Sequence, residues 1–130
     1  MSAKAEIQSI RIPPDTLHVA SIRVFVGAVA RQVGYSEEVI EDLRLVASEA
    51  AAEALEEGVA LEGIELRAWL VGPRLTLEIE PSGTFSATPD GERPAQTIER
   101  RSLIEALFPD AEFEMHDGRS LLRVSVPDDR

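Results

Sequence analysis

Apolar residues follow two rhythms along this chain, and the rhythm switches several times. "AEIQSIRIPPD" alternates imperfectly, with Ile10 and Ile12 on one face. Pro13 and Pro14 end it, because proline gives a sheet no ladder donor; a short edge strand is predicted. Asp15 then suits an N-cap. Val19, Ile22, Phe25, Val26, Val29 and Val33 keep helical spacing as far as Gly34, a C-terminal stop. Ser36 opens a second helix, with Glu37 and Glu38 in the first turn where the macrodipole favours acid. Its stripe runs through Val39, Ile40, Leu43, Val46, Ala47, Ala50 and Ala54, and Gly58 ends it. Two helices joined by so short a turn pack together, and the alanines permit close approach.

Strict alternation takes over in "GIELRAWLV", with Ile64, Leu66, Ala68 and Leu70 on one face and Glu65, Arg67 and Trp69 on the other. After a "GP" turn, "RLTLEIE" alternates again through Leu75, Leu77 and Ile79, which predicts a hairpin with one buried face. Residues 82–97 are polar and rich in proline and glycine, and read as a lid-like loop. "QTIERRSLIEALF" predicts a third helix through Ile98, Leu103, Ile104 and Leu107. "AEFEMHDGRSLLRVSV" predicts a second hairpin around a type I′ turn at Asp117-Gly118, with Phe113 and Met115 facing Leu122, Val124 and Val126. The order β-α-α-β-β-loop-α-β-β gives an α+β, two-layer sandwich of about three helices on a mainly antiparallel sheet. No repeat or linker interrupts it, so residues 1–130 read as one domain.

Composition narrows the function. A hydrophobic share of 44% is that of a globular chain. The net charge of −11 repels phosphate backbones, so no nucleic-acid partner is expected, and it favours a basic protein partner. The absence of cysteine excludes disulfides and thiolate chemistry and fits a reducing compartment. The N-terminus lacks a signal-peptide pattern, and no apolar run approaches the roughly 20 residues that span a bilayer. A cytoplasmic protein without membrane contact is expected. Lys4 is the only lysine, and there is no asparagine, so no mechanism can use an asparagine amide as a ligand.

Within "SEAAAEALEEG", Glu49 and Glu53 lie four apart on one helix face. Three readings stay open: an exposed helix face with a relict pocket, part of a protein-binding surface, or a catalytic pair, with the first favoured. His18 and His116 are far apart and read as packing or turn residues. Trp69, on the polar face of a hairpin, either anchors an interface or is covered by a neighbouring element. Ser82, Ser86 and Thr88 are candidate modification sites or simply flexible positions.

The segment "IPPDTLHVASIRVFVGAVARQVGYSEEVIEDLRLVASEAAAEALEEG" resembles the front half of the histidine-kinase-like ATPase (GHKL) superfamily, in particular its small anti-sigma-factor serine kinases. The matching features are Pro13, Pro14, His18, Gly34 and "LVASE" at residues 45–49. The resemblance is good over roughly the first 60 residues, and the later strands agree in order. It implies a Bergerat-type ATPase fold. In that family the second helix carries E-x-x-x-N, where the Glu acts as base or orients the attacking group and the Asn binds the Mg²⁺ that bridges the nucleotide phosphates.

Glu49 matches the Glu, but Glu53 stands at the Asn position. A carboxylate can ligate Mg²⁺, yet it faces the triphosphate with like charge, at a cost of a few kcal/mol. The family's D-x-G-x-G aligns with "EPSGT", so Glu80 stands for the Asp that takes the adenine amino group, and Ser82 and Thr84 replace both glycines. No glycine lies between Pro94 and Pro109, where the lid motif belongs. Arg100 and Arg101 stand where that lid would meet phosphates; a solvated helix face is the favoured reading for them.

These departures set the expectation: a non-catalytic GHKL-fold regulator without a cofactor, a pseudokinase that binds a protein, in the manner of an anti-sigma factor acting in bacterial transcription. The partner would be a sigma factor or its regulator, and Arg23 and Arg31, on a similar face of the first helix, are the residues to test. The rival is an ATP-dependent serine kinase using ATP and Mg²⁺, with Glu49 as base, Glu53 at the metal, and Glu80, Ser82 and Thr84 at the nucleotide. A third reading is a homodimeric scaffold that uses a sheet edge or Trp69.

Overall fold

The computed structural model describes residues 7–56, 62–82, 95–116 and 119–126. The strands are β1 (Gln8–Ile12), β2 (Gly63–Val71), β3 (Arg74–Ser82), β4 (Glu112–His116) and β5 (Arg119–Val126); the helices are α1 (Val19–Val33), α2 (Glu37–Glu56) and α3 (Ala95–Leu107). They form a five-stranded antiparallel sheet in the order β1-β2-β3-β5-β4. The three helices share one face of it, as the two-layer expectation requires.

Local signals set most boundaries. Asp15 accepts the Leu17 N–H at 2.9 Å, but what it caps is a 3-10 turn, Thr16–His18, that leads into α1. Gly34 ends α1 in the left-handed region at φ 94°, where its N–H meets the Ala30 carbonyl at 3.2 Å. Ser36 caps α2 by accepting the Val39 N–H at 3.3 Å.

The core lies between the layers. Ile22, Val26 and Ala30 of α1 meet Ile40, Leu43, Val46 and Ala47 of α2 over Ile64, Leu66, Leu75, Leu77, Ile79, Val124 and Val126 of the sheet. Leu70 departs from the expected buried face and is exposed. The pairing of β1 with β2 stops at Gln8↔Ala68, so Leu70 lies beyond it, beside the hairpin turn. Gly58, the Asp117-Gly118 turn and most of the 82–97 loop fall outside the described residues, as do the side chains of Met115 and His116.

Gly27 and Tyr35 do work that periodicity hides. A Cβ at Gly27 would sit 2.9 Å from the Arg44 guanidinium, which lies across α1 and donates to the Arg23 carbonyl at 3.3 Å. The buried Tyr35 hydroxyl accepts the Leu75 N–H at 3.0 Å and donates to the Val126 carbonyl at 3.2 Å. It therefore ties the α1–α2 turn to the point where β3 and β5 begin to pair. Tyr35→Phe leaves both backbone groups buried and short of a partner. A loss of about 1–3 kcal/mol in urea unfolding is expected; an unchanged midpoint would show that the hydroxyl is not needed.

Candidate functional site

Glu49 and Glu53 project from the second half of α2 toward α3, so both lie on the helix side of the sheet. Neither is a fully solvated surface group. Arg100 Nε stands 3.4 Å from Glu49 Oε1, and Arg101 Nη2 stands 3.4 Å from Glu53 Oε2. Side-chain exposure is 18% for Arg100, 32% for Glu49, 24% for Arg101 and 13% for Glu53. The Arg101 guanidinium also stacks over the Phe113 ring of β4 at 4.7 Å. This corrects two expectations: the arginines are not a solvated helix face, and the carboxylates are not an exposed one. Each group is half-buried and engaged across the α2–α3 contact.

The remaining candidates lie elsewhere. Along β3, Leu77 and Ile79 face the helices, so Glu78 and Glu80 face the other way. Glu80 accepts from Arg67 Nη2 at 2.9 Å on that outer sheet face and does not join Glu49 and Glu53. Ser82 is the last residue of β3, its side chain lies outside the described residues, and Thr84 does too. Trp69 is half-buried on the outer face, opposite the buried Thr76.

Arg23 and Arg31 both turn back onto α2. Arg23 donates to Ser48 Oγ at 3.2 Å and lies 3.9 Å from Glu41, while Arg31 pairs with Glu37 at 3.2 Å. Ser48, the Ser of "LVASE", in turn donates to the Leu45 carbonyl at 3.0 Å, so this motif residue fastens α1 to α2. Among the described residues, no group of three or more His, Asp or Glu side chains is placed to hold a metal.

The outer face carries its own charge network. Arg67 meets Glu65 at 2.8 Å, Glu78 at 3.1 Å and Glu80 at 2.9 Å. Arg123 meets Glu78 at 2.7 Å and Glu112 at 3.4 Å, and it also bonds Glu114. Burial works to lower the Arg67 pKa, but hydrogen bonds to Glu80 and Glu78 outweigh it and the net shift is upward. Arg123 is raised chiefly by its hydrogen bond to Glu78. Both guanidiniums are therefore fixed cations of a structural network on the face away from the helices.

A family model described as the histidine kinase-like ATPase domain matches residues 12–124. The chain belongs to this family. None of the curated proteins compared with it matches. Among solved structures, it resembles the crystal structure of the RsbU and RsbW domains of Rv1364c from Mycobacterium tuberculosis, with a TM-score of 0.71 and 18% identity. The match covers 93% of this chain and 32% of that one, so the likeness shows the fold and this chain spans about a third of the other's length.

The family's Mg²⁺-nucleotide arrangement does not fit the residues present. Mg²⁺ takes oxygen ligands at about 2.0–2.1 Å, so a metal on Glu53 would sit a few Å from the Arg101 guanidinium. Glu49 is engaged in the same way by Arg100. The carboxylate that aligns with the adenine-binding Asp, Glu80, lies on the opposite sheet face.

A shallow cleft of about 140 Å³ lies nearer the start of α2, lined by Val39, Asp42, Leu107, Phe108, Asp110 and Val126 among others. It is smaller than the roughly 300–1,000 Å³ of most ligand sites. Among the described residues, no helix is long and apolar enough to cross a membrane.

Proposed function

We propose that this histidine kinase-like ATPase domain is a regulator that works by binding a protein and does not turn over ATP. The observation that carries the reading is the engagement of Glu49 and Glu53, the residues at the family's base and metal positions, by Arg100 and Arg101 of the same chain. The anti-sigma-factor branch supplies the function: a sigma factor, or a regulator of one, is the partner. The RsbW domain in the structural neighbour supports placing the chain beside that branch.

The outer side of α1 is the contact surface in this reading. Val24 is 66% exposed there, Leu17 of the preceding 3-10 turn is 81% exposed, and Ala20, Ser21 and Ala28 are exposed as well. Arg31 and Arg23, paired with Glu37 and Glu41 of α2, border that strip with charge of both signs.

Calorimetry and thermal melts with MgATP test the reading. A nucleotide bound with a Kd of about 10 μM would, at about 1 mM, add roughly 2.7 kcal/mol to stability and raise Tm by several degrees. The expected result is no heat and an unshifted melt, alongside a stable complex with a sigma factor or its regulator. Micromolar MgATP binding with phosphate transfer to a partner serine would establish the kinase instead.

A further inference from the structure

We propose that Arg100 and Arg101 form a charge latch: an internal pair of cations that holds the middle of α3 on α2 and makes the docking of α3 depend on ionic strength. The latch rests on the functional reading above for its meaning, since that reading leaves Glu49 and Glu53 to the chain's own arginines.

The geometry is specific. Glu49 and Glu53 are like charges at i and i+4, an arrangement that destabilises a helix when nothing offsets it. Arg100 and Arg101 are consecutive and so point about 100° apart around α3. Both still reach α2, so they straddle the line of contact between the two helices. Ile104 lies three and four residues further on, on the same side, and is buried with 1% exposure. The inner side of α3 is therefore cationic at Arg100 and Arg101 and apolar one turn later, where Ile104 and the following Phe108 enter the core.

Separating α3 from α2 costs twice at the charged turn. It removes the arginine counter-charges, and it restores the repulsion between Glu49 and Glu53. At the apolar turn the ionic terms are absent. The two turns thus answer to different conditions: salt weakens the charged one in part, because its ion pairs keep 13–32% of their side-chain surface in water, and not the apolar one. The Phe113 contact gives Arg101 a second hold, from β4, that salt weakens less.

Amide hydrogen exchange on the full chain tests this, read at residues 101–105 with the β3 amides as the internal reference. Three variants are needed: Arg100→Gln with Arg101→Gln, Glu49→Gln with Glu53→Gln, and all four together. Each pair of changes is expected to lower protection at 101–105 about tenfold, and the four together no more than either pair, because the interaction is lost only once. Raising salt from roughly 0.02 M to roughly 0.5 M is expected to lower protection about twofold in the natural chain and to leave the fourfold variant unchanged.

Unchanged protection in both pairs overturns the latch. So does a fourfold variant that loses the product of the two effects, which is the signature of independent packing defects. The two proposals fail separately. A MgATP heat in the natural chain beside a non-additive exchange cycle overturns the nucleotide-free function and keeps the latch. A silent titration beside an additive cycle does the reverse.

Discussion

Gly63→Ala is expected to lower the unfolding free energy by about 3–5 kcal/mol and Tm by more than about 10 °C. Gly63 opens β2 at φ 123°, a region that L side chains rarely adopt, and a Cβ there would lie 2.2 Å from the Ile12 carbonyl oxygen and 3.3 Å from its carbon. The obstacle is backbone, so no side-chain rotation relieves it. Relief requires the end of β1 to lift off β2 at the Ile12↔Ile64 pair. That pair is 4% and 0% exposed, so lifting it uncovers core as well as breaking the ladder.

Gly72→Ala supplies the comparison. Gly72 is also left-handed, at φ 62°, but nothing lies within 4 Å of a Cβ there. Its substitution should carry only the conformational term of about 1–2 kcal/mol. Urea unfolding of both variants separates strain from collision. A Gly63→Ala loss no larger than that of Gly72→Ala would mean that β1 yields without cost.

Neither the close approach at Gly63 nor the pairing at α3 was legible in the sequence, and for the same reason. Periodicity reports which face of an element is buried, and caps report where it ends; both are local. Val19 to Val33, Leu75 to Ile79, Gly34 and Ser36 were readable on those terms, and the element order that follows from them is the observed one. The Gly63 collision depends on the register between β1 and β2, some 50 residues apart in the chain. Glu53 and Arg101 are 48 residues apart; the resemblance set both beside the same phosphates, but no local pattern pairs them with each other. Tyr35 finds its two partners 40 and 91 residues away.

Other features were present and under-read. Glu80 shares the parity of Thr76 and Glu78 against Leu77 and Ile79, so alternation alone sets it on the sheet face away from the helices. Gly27, in the middle of α1, costs about 1 kcal/mol of helix propensity and so signals a close neighbour, which proves to be Arg44. The carboxylate at position 53 was visible as an oddity in a family motif. What it signified needed the fold: a negative side chain is tolerable there because α3 brings its own positive one.

The outer sheet face gives the second large effect. Glu78→Ala is expected to cost about 2–3 kcal/mol, because Glu78 is the middle of a rung that runs Arg67, Glu78, Arg123, Glu112 across four strands with alternating sign. Its carboxylate, 10% exposed, takes Arg67 on one oxygen and Arg123 on the other. Removing one member of a buried ion pair costs about 3–5 kcal/mol. The figure is lower here because Arg67 and Arg123 are 23% and 32% exposed and retain Glu65, Glu80, Glu112 and Glu114.

A double-mutant cycle decides whether the loss is ionic. Arg67→Ala combined with Glu78→Ala should cost about 1–2 kcal/mol less than the sum of the single changes. A strictly additive result would assign the loss to packing on the outer sheet face rather than to charge. That outcome would leave the rung as surface decoration, and the central strand would then owe its burial on this face to side-chain stems alone.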